Sequence, residues 1–197
     1  MVGEKGIMKT YVTSDLNFCN GFKDNNCSSE QEWNDFLINK WNSIITQNDT
    51  VYILGGFGQG GIKDIQDILL RLNGNKLLLY NDTVNQYSRK MWEHIGLPAV
   101  HYTLFSLDKK LHFNYNEKLI KPDDTDDWLI CYGGGKTKPI WSNKGLNVSA
   151  ELWDYCPLDI NEIHNIWNRM SEWDNMETIK NDNKKEKEPV KLKFSNL

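Results

Sequence analysis

The chain has 197 residues, 39% of them hydrophobic and 12% aromatic, which suffices for the core of one domain and excludes a chain disordered throughout. Its net charge of −4 disfavours broad, non-specific binding to nucleic acid. No stretch reaches the roughly 20 apolar residues that span a bilayer, and the first residues lack the apolar run of a secretory signal. We therefore expect a cytoplasmic protein.

The first half of the chain alternates predicted strands and helices. Apolar residues that recur every three or four positions indicate helices, and short runs of β-branched and aromatic residues indicate strands. The predicted elements are a strand over residues 9–14, a helix capped by Ser28 or Ser29, a strand over 50–54, a helix over 62–72 and a strand over 76–80. This order predicts an α/β layer with a partly parallel sheet.

The second half is richer in predicted strands. A hairpin is expected from residues 102–107 and 110–115, followed by strands over 128–132 and 146–150 and a helix over 159–173. The apolar stripe of that helix includes Trp167 and Trp173 and predicts a docking face, either for its own domain or for a partner. We place an extension at residues 1–7, the domain at 8–176 and a lysine-rich, flexible tail at 177–197.

Two glycine loops imitate nucleotide-binding motifs. Gly56–Gly61 fits the dinucleotide fingerprint G-x-G-x-x-G, but it does not follow the first strand of the chain. Gly133–Thr137 ends like a phosphate-binding loop, yet Ile130 stands where that motif needs a glycine. Neither pattern predicts a bound cofactor.

Motifs spread over residues 8–166 resemble the calcineurin-like metallophosphoesterases, above all the small bacterial and phage members. The stretches that carry the resemblance are Thr13-Ser14-Asp15-Leu16-Asn17, Ile53-Leu54-Gly55-Gly56-Phe57-Gly58, Leu72-Asn73-Gly74-Asn75 and Asn147-Val148-Ser149-Ala150-Glu151-Leu152-Trp153-Asp154-Tyr155-Cys156-Pro157. The resemblance implies an α/β (α+β) fold in which two packed mixed β-sheets are flanked by helices, an αββα sandwich. It also implies two divalent metals, Mn, Fe or Zn, at the strand ends.

The positions that would hold those metals have lost most of their ligands. The family's first aspartate is kept as Asp15, but its histidine partner is Asn17 and the carboxylate that bridges the metals is replaced by Gly56. The remaining vestigial positions are Asn81 or Asp82, Asn114, Gly133 and Gly135. A shift in the strand register would bring His112 into the site and restore one histidine ligand. We predict no catalytic residue and no cofactor, with Asp15 and Asp82 as weak metal candidates.

The leading hypothesis is a pseudoenzyme that acts by binding a protein partner, for instance a phage protein that inhibits a host enzyme or defence complex in the host cytoplasm. A first alternative is a nucleotide or nucleic-acid binder that uses the inherited phosphate cleft without hydrolysis. A second is a residual single-metal phosphodiesterase built on Asp15 and Asp82.

Overall fold

The computed structural model describes residues 7–21, 27–80, 86–101, 105–106, 111–113, 129–134, 141–142 and 145–169. The chain divides into two compact units, Met1–Ile160 and Asn161–Leu197. The first unit contains both sheets and three of the helices, and it is a mixed α/β sandwich, as the sequence predicts.

The first sheet has five strands in the order β10-β1-β2-β3-β4. Strands β1 to β4 are mutually parallel, whereas β10 pairs antiparallel with β1 at one edge. Their bounds are β1 Thr10–Thr13, β2 Thr50–Ile53, β3 Asn75–Tyr80, β4 Ala99–His101 and β10 Leu158–Asp159. The predicted strands over 9–14, 50–54 and 76–80 are confirmed to within a residue or two at each end.

Three helices connect the parallel strands: α1 Glu30–Asn42, α2 Ile62–Arg71 and α3 Arg89–Ile95. The predicted cap of α1 is Ser29, whose side chain accepts a hydrogen bond from the amide of Glu32. Helix α3 is capped in the same way by Ser88 and ends at Gly96, in the left-handed region at φ 105°. Side chains from the helices and from one face of the sheet form a buried cluster that includes Trp33, Trp41, Ile53, Ile65 and Trp92.

The second sheet has the strand order β5-β6-β7-β9-β8. Strands β6, β7 and β9 are mutually parallel, whereas β5 pairs antiparallel with β6 and β8 pairs antiparallel with β9 at the two edges. Their bounds are β5 Phe105–Ser106, β6 Leu111–Phe113, β7 Leu129–Tyr132, β8 Trp141–Ser142 and β9 Gly145–Asn147. The antiparallel pairing of β5 with β6 confirms the predicted hairpin. The rings of Tyr52 and Phe113 lie 5.5 Å apart and join the two sheets face to face.

Several elements differ from the sequence prediction. Helix α3 and the strands β4, β8 and β10 were not among the predicted elements. The strand expected over 146–150 stops at Asn147, because the side-chain oxygen of Asn147 accepts the amide of Ser149 and turns the chain. A short 3₁₀ helix, Ala150–Leu152, follows.

The predicted helix over 159–173 is observed over residues 160–169 (α4), and its remaining residues lie outside the described part of the chain. Among the described helices, none has the length and the apolar composition that a crossing of the bilayer would require.

Candidate functional site

The carboxyl ends of four strands meet where the two sheets join. Strand β1 continues into Ser14 and Asp15, β2 into Gly55 and Gly56, β7 into Gly133 and Gly134, and β9 into Ser149. A parallel bridge between Ser14 and Ser149 links the first sheet to the second. Two backbone hydrogen bonds accompany it, from Ser14 N to Val148 O at 3.1 Å and from Ala150 N to Ser14 O at 2.8 Å. Ligand sites in α/β proteins commonly lie at such strand ends.

The carboxylate of Asp15 is the centre of this edge. Its Oδ2 accepts hydrogen bonds from Ser149 Oγ at 2.7 Å, from Ser14 Oγ at 2.9 Å and from the Gly134 amide at 2.9 Å. The same amide lies 3.1 Å from Ser149 Oγ. One carboxylate oxygen therefore joins the end of β1 to the ends of β7 and β9.

Two glycines make room for this carboxylate. A Cβ atom on Gly56 would lie 2.9 Å from both Cα and Oδ1 of Asp15, and Gly56 has φ +63°. A Cβ atom on Gly133 would lie 2.5 Å from Ser14 Oγ and 3.0 Å from Asp15 Oδ2. The aspartate that the family places at position 56 would not fit here without a shift of the backbone, because real Cβ atoms do not approach backbone atoms so closely.

Asn17 completes the turn after β1. Its Nδ2 donates to the carbonyl of Asp15 at 2.8 Å, and its own amide donates to Gly56 O at 2.9 Å. Asp15 and Asn17 both have φ 55°, in the left-handed region that Asp and Asn tolerate better than most residues. The side chain of Asn17 thus stabilises the bend that brings Asp15 to the second sheet.

The structure brings together four of the predicted positions, Asp15, Asn17, Gly56 and Gly133. Asn81, Asp82, Asn114 and Gly135 lie outside the described residues, as does Trp173. Trp167 lies on α4 and is half-buried. His112 lies in the middle of β6, between the buried Leu111 and Phe113, so its side chain projects from the opposite face of the strand. That face is not the one on which Phe113 meets Tyr52.

These residues do not fit a dinuclear metal centre. A two-metal site needs several carboxylates and imidazoles with lone pairs directed at the ions. Across the described ranges, no group of three or more His, Cys, Asp or Glu side chains is arranged to hold a metal. Among the described residues, Asp15 supplies the carboxylate at this edge, and its Oδ2 already accepts three hydrogen bonds.

Sequence reasoning missed Ser14, Gly134 and Ser149 as members of the site. Ser149 is separated from Asp15 by 134 positions, and a single serine at a strand end has no distinctive spacing. The available signal was the position of the two serines. Ser14 and Ser149 lie near the ends of two expected strands, and both are inside stretches that resemble the family.

The glycine-rich loop after β2 continues the pairing of β1 with β2. The carbonyls of Gly55, Gly56 and Phe57 accept from the amides of Asp15, Asn17 and Phe18 at 2.9–3.2 Å. A Cβ atom at position 58 would lie 2.7 Å from Phe18 O, and one at position 60 would lie 2.5 Å from Cys19 Cβ. The glycines of this fingerprint-like pattern therefore allow a close approach between two chain segments.

A separate polar cavity of about 250 Å³ lies between α1 and α2. It is lined by Cys19, Glu30, Gln31, Asn34, Asp64, Asp67, Ile68 and Arg71. Burial raises the pKa of the Cys19 thiol, against a smaller lowering by the hydrogen bond with Asn34, so the sulfur stays protonated and weakly nucleophilic. Arg71 is held by ion pairs with Asp35 and Asp67.

Comparison with protein families and with curated proteins finds no match for this chain. Among solved structures, it is similar to the crystal structure of the protein of unknown function AQ665 from Aquifex aeolicus, with a TM-score of 0.57 and 16% sequence identity. The match covers 81% of this chain and 99% of that chain. At this identity, the similarity shows a shared two-sheet fold and carries no function.

Proposed function

We propose that this protein is a catalytically inactive, metallophosphoesterase-like protein that acts by binding a protein partner. The observation that carries the proposal is the environment of Asp15. At the edge where the family would hold two metals, the carboxylate accepts three hydrogen bonds from the protein itself.

Hydrolysis of a phosphoester by the family's route needs a hydroxide held between two metals and clamps on the phosphate oxygens. Gly56 removes the bridging carboxylate, and the close contact between position 56 and Asp15 leaves no space to restore it. Asn17 supplies its amide group to the backbone of Asp15 in place of the family's imidazole. These two substitutions, together with the hydrogen bonds to Asp15, support a scaffold that keeps the fold without the family's hydrolytic chemistry.

A protein is the partner class that the composition supports. The net charge of −4 opposes long nucleic acids, whose binding depends on neutralised phosphates. The amides of Asp15, Asn17, Phe18 and Gln59 are used in the pairing of residues 15–18 with residues 55–59, and the amide of Gly134 donates to Asp15. One concrete form of the proposal is a phage protein that inhibits a host enzyme or defence complex, in keeping with the resemblance to phage members of the family.

The test combines metal content, hydrolysis and partner capture on the full chain. After incubation with Mn²⁺ and desalting, we expect no retained metal by mass spectrometry. We also expect the same background hydrolysis of a chromogenic phosphodiester for the wild type and Asp15→Ala. A protein captured from host lysate should then bind the purified chain in a defined stoichiometry, and an enzyme so captured should lose activity.

Two outcomes would contradict this proposal. Two tightly held metals per chain, or phosphodiester hydrolysis that rises with Mn²⁺ and disappears in Asp15→Ala, would indicate an active hydrolase. Tight binding to a nucleotide panel without any reconstituted protein complex would favour the nucleotide-binding alternative.

A further inference from the structure

We propose that the hydroxyls of Ser14 and Ser149 and the amide of Gly134 form an oxyanion cup, and that the carboxylate of Asp15 fills it. The chain thereby supplies its own anion to join the two sheets at the edge where the family places cations. This inference deepens the proposed function. It depends on the proposed function in one respect, that no metal binds Asp15.

The three donors come from different parts of the chain and converge on one atom. Ser14 belongs to the end of β1, while Gly134 and Ser149 follow β7 and β9 of the second sheet. The Ser149 hydroxyl lies 2.7 Å from Oδ2, an ordinary distance for a hydrogen bond from a hydroxyl to a carboxylate. The other two donors lie at 2.9 Å.

The polarity of the cup is the reverse of that of a metal site. Three donors present the positive ends of their bonds to its centre, so an anion is stabilised there and a cation would meet repulsion. A divalent ion that bound Oδ2 would compete with these three donors for its lone pairs. The mismatch with the family's metals is thus a property of the donor set around Asp15.

The flanking glycines restrict what else could occupy the cup. Position 133 lies against both Ser14 Oγ and Asp15 Oδ2, and position 56 lies against Asp15 Oδ1. A side chain at either position would enter the space that the carboxylate and its donors use. The two glycines therefore keep free the space that the carboxylate and its donors occupy.

The experiment removes the anion and returns it from solution. Asp15→Ala leaves the three donors without an acceptor, and we expect its melting temperature to fall by about 4–10 °C relative to the wild type. Sodium formate, a carboxylate of matching size, should recover part of that loss, and sodium chloride at the same ionic strength should not. Asp64→Ala, which removes an exposed carboxylate on α2, is the matched control and should respond equally to both salts.

Ser149→Ala provides a second measurement, and it keeps the proposal testable if Asp15→Ala does not fold. This variant removes a donor and leaves the anion in place, so its melting temperature should fall and formate should not restore it. Ser149→Ala should lower the melting temperature less in the Asp15→Asn variant than in the wild type, because the acceptor at position 15 has lost its charge.

Three results would overturn the proposal: an unchanged melting temperature in Asp15→Ala, a loss that formate and chloride recover equally, or additive effects of Ser149→Ala and Asp15→Asn. Stabilisation of the wild type by Mn²⁺ that Asp15→Ala abolishes would also overturn it, since Asp15 would then be a metal ligand. Failure to capture a partner would bear only on the proposed function, because formate rescue does not depend on any partner.

Discussion

Single carboxylates in this protein stabilise the backbone by accepting several hydrogen bonds at once. Asp15 does so between the two sheets, and Asp49 does so at the turn before β2. Asp49 is 2% exposed and accepts from the Lys9 amide at 2.8 Å and from the amide and hydroxyl of Thr46 at 2.7 Å each. In both places an acidic residue has a structural use that its type alone does not reveal.

Asp49 makes the stability depend on pH. Burial raises the pKa of Asp49, but the bonds from Lys9 and Thr46 outweigh burial and leave it below its usual value. A carboxyl with a lowered folded pKa stabilises the fold at pH values above its unfolded pKa of about 4, and this contribution is lost as the pH falls through the folded value. Asp49→Asn should therefore destabilise most near neutral pH and progressively less in acid.

Urea unfolding of the wild type and Asp49→Asn at about pH 7, 5 and 3 checks this dependence. Asp64→Asn, on the exposed surface of α2, serves as the control carboxylate. A constant difference between wild type and Asp49→Asn at all three pH values would show that charge has no part in the effect.

A matched glycine separates the two costs of a side chain at position 56, the strained backbone conformation and the contact with Asp15. Gly56 and Gly21 have φ +63° and +64°, but a Cβ atom at position 21 meets nothing within 4 Å. Alanine at either position carries the cost of the left-handed region, about 1–2 kcal/mol, and Gly56→Ala adds the clash with Asp15. We expect Gly56→Ala to lose about 1–3 kcal/mol more than Gly21→Ala in urea unfolding. Equal losses would mean that the contact with Asp15 relaxes freely.

Among the elements, the segment from Trp153 to Cys156 is held in an unusual conformation against α1. Asp154 and Tyr155 have φ 53° and 60°, and two consecutive non-glycine residues in this region are costly. The Tyr155 ring packs edge-on against Trp33 at 5.0 Å and against Phe36 at 5.5 Å. Lys40 of α1 also forms an ion pair with Asp154, whose side chain is 77% exposed.

The ring contacts should outweigh the ion pair in holding this segment. Exposed ion pairs contribute less than about 1 kcal/mol, whereas loss of a large packed ring costs about 2–4 kcal/mol. Tyr155→Ala should therefore destabilise much more than Lys40→Ala in chemical denaturation. Tyr155→Phe keeps the ring and should lose less stability than Tyr155→Ala. A larger loss in Lys40→Ala than in Tyr155→Ala would reverse this ranking.

Local patterns predicted the elements whose signals lie within one segment. Periodic apolar residues and a capping serine located α1, and compact apolar runs located β2 and β3, because those features act over a few residues. Strands β8 and β10 have two residues each and exist only through pairing with β9 and β1. Their formation depends on tertiary contacts that no local pattern encodes.

At the scale of the whole first unit, the two sheets are joined by long-range contacts. Resemblance to the family directed attention to Asp15, Asn17, Gly56 and Gly133, which the structure places at one edge. The hydrogen bonds of Asp15 with Gly134 and Ser149 span 119 and 134 positions, and neither residue type nor spacing indicates them. Apart from Ser14, the missed residues of the site follow strands of the second sheet.

These contacts predict that the two layers unfold together. Cys19 lies in the helical layer at 9% exposure, and Cys131 lies in the second sheet at 0%. Burial raises the pKa of both thiols, so neither should react with an alkylating agent in the native protein. In a variant with Cys27 and Cys156 replaced by serine, both should become reactive at the same urea concentration.

Alkylation followed by mass spectrometry measures each thiol separately. Asp15→Ala in the same background should expose Cys131 at a lower urea concentration than Cys19, because the second sheet has lost its tie to β1. Separate transitions for the two thiols with Asp15 intact would show that the sheets unfold independently.

The alternating glycines after β2 have a consequence for how this chain tolerates mutation. Gly56, Gly58 and Gly60 each face a residue of the neighbouring segment, Phe57 between them is buried, and Gln59 is exposed. A saturation scan would therefore show strong intolerance at positions 56, 57, 58 and 60 and one permissive site at Gln59. The same glycines match a nucleotide-binding signature, and each of them lies against an atom of the neighbouring segment. The pattern of tolerated residues would thus report the space between two adjacent chain segments.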